Sequence, residues 1–182
     1  MFDTEKMIDI LIPTVAQGLL WALLALGVYI TFRVLDIADL SVEGSFPLGA
    51  AVAATALVNG YGMLIAFFLA AIAGALAGIV TGFFTTRLKI PALLAGILTM
   101  IGLYSVNLHV MGKANVALLR VDTIFSYAES FGMSATVAML TVGVVAAVFI
   151  GCLMYWFFGT EIGTAIRATG CNSEMARAKG VN

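Results

Sequence analysis

Long runs of apolar residues, separated by short polar stretches, dominate the pattern of this chain. Four of these runs are long enough for a bilayer: residues 13–32, 63–86, 91–111 and 134–158. A membrane-spanning helix needs about 20 consecutive, mostly apolar residues. A fifth run, residues 44–58, is uncharged but short for a crossing. The pattern predicts an all-α, polytopic membrane helical bundle with about five membrane segments, one of them short or broken.

A polar break, residues 36–43, separates the first long run from the short one, and it carries the acids Asp36, Asp39 and Glu43. A polar break before a short apolar helix is typical of the discontinuous helices of transporters, which line the substrate path. An ordinary loop before a short helix explains the same pattern, and both readings stay open here. The candidate residues for a substrate path are Asp39, Ser41, Glu43, Ser45 and Asn107.

Helix signals place the start of the short helix at Ser45, as the N-cap, with Pro47 in the first turn. If this end is buried, its free N–H groups would present partial positive charge to a cavity. Residues 44–58 either cross the membrane fully or re-enter it. The first 12 residues are either a short interfacial helix or a frayed terminus, and we favour the frayed terminus.

Small residues recur at every fourth position of the run 63–86, at Gly74, Gly78 and Gly82. Such a stripe lets another helix approach closely. We therefore predict a role in helix packing for these glycines.

Composition agrees with a membrane protein, since 62% of the residues are hydrophobic and 10% are charged, against about 25% charged in soluble domains. The net charge of −1 gives no basic surface for nucleic acid. The two cysteines and the single His109 form no metal-ligand pattern and no disulfide framework. We predict no catalytic residues, no metal, no cofactor and no nucleic-acid partner.

Basic residues are distributed unevenly between alternate loops. With five crossings, one side receives six of them and the other three: Arg33, Arg87, Lys89, Arg167, Arg177 and Lys179 against Lys6, Lys113 and Arg120. The positive-inside rule places the richer side in the cytoplasm. This predicts an N-terminus outside and residues 159–182 inside the cell.

The polar tail contains the signals of a short, self-capped helix. Asn172 is a good N-cap, Glu174 follows in the first turn, Arg177 comes near the end and Gly180 suits the C-cap. A solvated loop helix without any partner would look the same.

The tail also resembles the cytoplasmic coupling loop of ABC-importer permeases of the branched-chain amino acid and ribose class. That pattern reads roughly G-x-A-x-R-A-x-G-x-N-x-E-x-A-R-x-x-G-[IV]-[ND]. The matching residues are Gly163, Ala165, Arg167, Ala168, Gly170, Asn172, Glu174, Ala176, Arg177, Gly180 and Val181. Ser173 stands where the family usually has Pro. Within the polar break, residues 39–42 resemble the D-L-S-V element of sugar permeases. Residues 40–52 are similar to a subgroup linked to uptake of aromatic amino acids or similar small solutes.

This resemblance implies the membrane permease subunit of an ATP-driven importer for a small solute, such as an amino acid, in a bacterial inner membrane. It implies ATP hydrolysis on a separate ATP-binding subunit, an extracytoplasmic substrate-binding protein and a second permease copy as a homodimer. The residues expected to couple to the ATP-binding subunit are Arg167, Asn172, Glu174, Met175, Arg177 and Gly180.

Such permeases continue past this loop into further spans. The chain is therefore expected to be the N-terminal part of a permease, with residues 1–182 in one truncated transmembrane domain. Residues 13–158 would hold the membrane segments and residues 159–182 the coupling loop.

Two other classes of protein stay open. An ion-coupled secondary transporter or channel would use Asp36, Asp39 and Glu43 as ion ligands, since acids inside a membrane protein are costly and usually functional. A structural membrane protein, held together by stripes of small residues, would explain the helix packing. It would explain neither the polar break at residues 36–43 nor the polar tail at residues 159–182.

Overall fold

The computed structural model describes residues 4–118 and 121–180, and all regular secondary structure in these residues is helical. The α-helices are α1 Thr4–Tyr29, α2 Val42–Val58, α3 Met63–Thr86, α4 Ala92–Met111, α5 Ile124–Ser130, α6 Ala135–Gly159, α7 Glu161–Cys171 and α8 Ser173–Ala178. A π-turn, Ile30–Val34, continues α1 and ends with a bond from Leu35 N to Ile30 O of 3.0 Å.

Four stretches are long and apolar enough to cross a membrane: Ile10–Val34, Met63–Thr86, Ala92–Met111 and Ala135–Gly159. The apolar α2 has 17 residues, and its rise of about 25 Å is less than the ~30 Å hydrocarbon core. The predicted all-α membrane protein with one short segment is confirmed.

The helices form two compact units. The first contains residues 1–36 and 123–182, and the second contains residues 37–122. In the first unit, α1 and α5 pack on α6, α7 packs on α6 and the π-turn, and α8 packs on α7. In the second unit, α2 packs on both α3 and α4.

Small residues fill the core of the second unit, where Ala51, Ala66, Ala77 and Ala95 are buried. Their size lets the helix backbones approach closely, as is usual where helices pack in a membrane. Buried hydroxyl groups tie the same helices together. Thr81 on α3 and Thr99 on α4 are hydrogen bonded through their Oγ1 atoms at 3.1 Å.

The N-terminal prediction was wrong for the described residues. Residues 4–12 are helical and belong to α1, so Pro13 lies inside the helix. A proline costs a helix one backbone hydrogen bond. The apolar run on its C-terminal side is long enough for the helix to persist through this defect.

The predicted stripe on α3 lies away from the contacts inside this chain. An added Cβ at Gly74, Gly78 or Gly82 would meet nothing within 4 Å among the described residues. The face of α3 that is buried carries Ala66, Ala77 and Thr81 instead. Packing on the three glycines stays a prediction.

Candidate functional site

The linker before α2, residues 37–41, is ordered by the carboxylate of Asp39. This carboxylate accepts hydrogen bonds from Ser41 N at 2.8 Å and from Ser41 Oγ at 3.0 Å. Such a bond from an Asp side chain to the backbone two residues on is typical of a tight turn. The hydroxyl of Ser41 is thereby held inside the protein, and the residue is 5% exposed.

This turn starts α2 earlier than the sequence predicts. The helix begins at Val42 after Ser41, so the assignment of Ser45 as N-cap was wrong and Pro47 lies in the helix interior. The N–H groups of Glu43, Gly44 and Ser45 donate to the carbonyls of Leu40 and Ser41 at 3.3, 3.0 and 2.9 Å. These groups are satisfied, so the predicted positive charge from free N–H groups is not available from them.

Two glycines allow the linker and α2 to lie directly against α4. A Cβ added at Gly96 would lie 2.7 Å from Leu40 N and 2.8 Å from Asp39 Oδ1. A Cβ added at Gly44 would lie 2.9 Å from the Cα of Met100. Real Cβ atoms do not approach other atoms so closely, so both contacts require glycine.

A cavity of about 870 Å³ follows the α2–α4 pair in the second unit. One face of α2 contributes Glu43, Gly44, Pro47, Ala50, Ala51 and Ala54. One face of α4 contributes a matching set, Met100, Ile101, Tyr104, Ser105, Asn107, Leu108 and Met111. The loop residues 114–116 complete the wall. The volume lies in the range of small-molecule sites, about 300–1,000 Å³.

The cavity brings together two of the predicted path residues, Glu43 and Asn107. Asp39 and Ser41 bond to each other in the linker, and Ser45 does not line the cavity, so their place on a substrate path stays a prediction. The sequence analysis did not name Tyr104 and Ser105 as path residues. Tyr104 lies three residues before Asn107, on the same side of the helix, whereas Ser105, two residues before Asn107, lies on a different side.

The polar lining of the cavity has one sign of charge. Glu43 is its acid, and the lining residues include no Lys, Arg or His. Most of the remaining wall is apolar.

Asn107 is the unusual polar residue of this wall. It is 7% exposed, and its Oδ1 is buried without a hydrogen-bond partner among the described residues. Buried polar atoms are nearly always bonded, and an exception calls for an explanation such as a ligand.

Replacing Asn107 by Leu is expected to leave the free energy of unfolding unchanged or to raise it by about 1 kcal/mol, because it removes an unpaired buried acceptor. Thr99→Val is the matched control on the same helix. Thr99 is buried, but its hydroxyl is bonded to Thr81 Oγ1 and Ala95 O. We expect Thr99→Val to cost about 1 kcal/mol. Thermal unfolding in detergent measures both, and a loss at Asn107 as large as at Thr99 would contradict the unpaired state.

The three acids of the polar break have different surroundings. Asp39 is engaged with Ser41, Glu43 lines the cavity, and Asp36 belongs to the first unit. Within residues 4–118 and 121–180, no group of three His, Cys, Asp or Glu side chains is placed to hold a metal ion.

The predicted short helix of the tail is present as α8. The Asn172 side chain accepts a hydrogen bond from Met175 N at 3.0 Å, Glu174 is in the first turn and Arg177 in the last. Gly180 follows the helix with φ +88°, the left-handed conformation usual just after a helix. The side chains of Asn172, Glu174 and Arg177 are exposed, and the apolar Met175 is 52% exposed.

A second helix, α7, precedes α8 and carries Arg167, and the sequence analysis did not predict it. Thr160 caps it by accepting a bond from Gly163 N at 3.2 Å. Gly163 and Gly170 lower helix propensity, which hides the helix in the sequence. Both are required by close contacts, since an added Cβ would overlap the Phe157 carbonyl oxygen at Gly163 and the Val34 carbonyl oxygen at Gly170.

Comparison with known proteins finds one family model and two relatives that match most of this chain. Residues 10–182 match the family model described as "Branched-chain amino acid transport system / permease component". The chain is 38% identical over 173 residues to a "Tyrosine transport system permease protein" of Clostridioides difficile, an alignment covering 94% of this chain and 56% of the relative. It is 33% identical over 167 residues to an uncharacterized protein of Rickettsia prowazekii, covering 92% of this chain and 57% of that one.

No solved structure matches the chain. The chain spans about half the length of the curated relatives it matches. The family match covers nearly all of its residues, from the first membrane helix to the tail. This multi-pass membrane protein belongs to the family of permease components of branched-chain amino acid transport systems.

Proposed function

We propose that this chain is part of the membrane permease subunit of an ATP-driven importer, and that its solute is an amino acid or a similar small molecule. Family membership supports a role in transport. The relative named for tyrosine transport supports a solute of the aromatic amino acid type. The observation that carries the coupling is the exposed, self-capped α8, held on α7 at the end of the last long helix.

The proposed partners follow from this role. A separate ATP-binding subunit hydrolyses ATP and contacts Arg167 on α7 and the exposed residues of α8. An extracytoplasmic binding protein delivers the solute, and a second permease copy completes the path. The subunit lies in a bacterial inner membrane with its N-terminus outside and residues 159–182 in the cytoplasm, as the distribution of Lys and Arg favours.

Movement of the tail can reach the linker along the chain. Gly170 of α7 lies against Val34 and Leu35 at the end of the π-turn. The backbone then continues through Asp36, whose φ is +53°, into residues 37–41 and α2. A π-turn is a frequent feature of functional sites in helices. A partner that shifts α7 would therefore act on the end of the π-turn.

Charge reversal at Arg177 tests the coupling role. Arg177→Glu is expected to reduce capture of the ATP-binding subunit about tenfold or more, because truncating or reversing a buried interface charge costs 2–5 kcal/mol. The amount of protein in the membrane should not change, since Arg177 is exposed. Co-purification in detergent measures the capture.

Lys113→Glu is the matched control, because Lys113 is also exposed and belongs to the loop after α4 on the opposite predicted side. It should capture the ATP-binding subunit normally. Equal capture by all three proteins would remove α8 from the contact with the ATP-binding subunit.

A further inference from the structure

We propose that the α2–α4 cavity is a two-ended solute site, which binds a protonated amine at Glu43 and a hydroxyl donor at Asn107. The ligand class is a para-hydroxyphenyl amine. This inference rests on the proposed function, because it names the solute that the permease would pass.

The acidic end of the cavity is formed by the first turn of α2. Glu43 lies there with its side chain exposed to the cavity and with no ion pair or hydrogen bond to another described residue. The N–H groups of this turn are used by Leu40 and Ser41, so they do not neutralise the carboxylate. An acid within a membrane protein is costly without a partner, and an ammonium group is the ligand chemistry that matches it.

The other end of the cavity is formed by Asn107, whose unpaired Oδ1 is an acceptor. A hydroxyl group supplies the donor that this atom lacks, and it brings no charge to a wall whose lining residues, apart from Glu43, are uncharged. A second ammonium would lack a carboxylate there. The two ends therefore call for different groups on the ligand.

The packing of α2 on α4 sets the distance between the ends. Gly44, the residue after Glu43, lies against Met100, and Thr55 bonds to the Val110 carbonyl at 3.4 Å near the other end of the helix pair. Asn107 comes seven residues after Met100, a rise of about 10 Å along α4. A hydroxyphenyl ring with an ethylamine chain has a length of the same order as this rise, so the proposal places it along α4 between the two residues.

The wall between the ends suits an aromatic ring. Met100, Ile101, Tyr104 and Leu108 line it from α4, and alanines line it from α2. Methionine and tyrosine side chains pack favourably on aromatic rings. The alanines leave the width that a flat ring needs.

Three probes and two variants test the site directly in the purified chain. Tyramine has both groups, 2-phenylethylamine lacks the hydroxyl, and 4-ethylphenol lacks the amine. We expect tyramine to bind at least about tenfold more tightly than either of the others, because each of them leaves either Glu43 or Asn107 without its proposed partner. Calorimetry or competition with labelled tyramine measures the three affinities.

The variants should remove one preference each. Glu43→Gln should abolish the advantage of tyramine over 4-ethylphenol and keep its advantage over 2-phenylethylamine. Asn107→Leu should abolish the advantage of tyramine over 2-phenylethylamine and keep its advantage over 4-ethylphenol. Glu129→Gln, an exposed acid on α5 in the first unit, should change neither ratio. A variant that merely misfolds would lose all three probes together, which this crossed design separates from the expected result.

Two results would overturn the proposal: no preference for tyramine in the unchanged chain, or ratios that Glu43→Gln and Asn107→Leu leave untouched or alter alike. Probe binding needs no ATP-binding subunit, so failure of this site and failure of the importer role are told apart. Normal ATP-driven uptake without a preference for tyramine over the other two probes would contradict only the proposed site. The expected ratios without any ATP-driven uptake would support the site and sink the importer.

Discussion

Gly96→Ala is expected to destabilise the protein by about 2–3 kcal/mol, and to reduce tyramine binding with it, because a new methyl group would be forced into a closed contact. The added Cβ would stand 2.7 Å from Leu40 N and 2.8 Å from Asp39 Oδ1. Its neighbours are a backbone atom and a carboxylate already bonded to Ser41, so neither gives way cheaply. The linker must move off α4, and α2 moves with it.

Gly102→Ala is the control for Gly96→Ala, since Gly102 lies on α4 with nothing within 4 Å of an added Cβ. Alanine there should be neutral or stabilising by about 0.5–1 kcal/mol, from helix propensity alone. Thermal unfolding and probe binding measure both variants. Equal behaviour of the two would show that the linker does not rest on Gly96.

Gly170→Ala is expected to reduce ATP-driven uptake about tenfold or more, corresponding to about 1.4 kcal/mol or more in the coupled step. The added Cβ would overlap the carbonyl oxygen of Val34 and lie 3.1 Å from the Cα of Leu35. Because these are backbone atoms at the end of the π-turn, α7 must lift away from it. Solute binding to the cavity should persist, since the cavity is lined by residues of the second unit.

Gly151→Ala is the matched control in the same unit, because an added Cβ at Gly151 meets nothing within 4 Å. Uptake in proteoliposomes and probe binding in detergent are measured side by side. Loss of probe binding together with uptake would point to general misfolding, and unchanged uptake would show that the contact of α7 with the π-turn carries no coupling.

The long helices follow from the apolar pattern of the sequence, and the pattern also predicts the bounds of one of them. The run Met63–Thr86 is a helix over the predicted residues, because an uncharged run of that length has no stable alternative in a bilayer. The tail helix was equally predictable, since Asn172 and Gly180 are local signals that act through the adjacent backbone.

Contacts between distant segments decided what the sequence did not predict. The start of α2 depends on the bond between Asp39 and Ser41 and on the space that Gly96 leaves on α4. Rules for N-caps consider only residues next to the helix start, so they cannot include a contact with α4. Gly163 and Gly170 read as helix breakers until their contacts with Phe157 and Val34 are known. On α3, regular glycine spacing pointed to one face, while the helices of this chain use another.

The candidate site was predictable in part. Glu43 was found as an acid in a polar break, and Asn107 as a polar residue in an apolar helix. Their meeting along one cavity depends on the parallel packing of α2 and α4, in which Gly44 lies against Met100 and Thr55 further along α2 bonds to Val110 further along α4. The sign of the charge in the cavity was not predictable, because it depends on which charged side chains line the cavity, and among its lining residues that is Glu43.

Uptake of labelled solute into proteoliposomes, with ATP and ion gradients varied independently, tests the importer role most directly. The reconstituted complex of the permease and the ATP-binding subunit is expected to accumulate solute only with ATP, and to continue when proton and sodium gradients are collapsed. Uptake that follows an ion gradient and ignores ATP would contradict the account. It would make Glu43 an ion ligand and leave α7 and α8 without a partner.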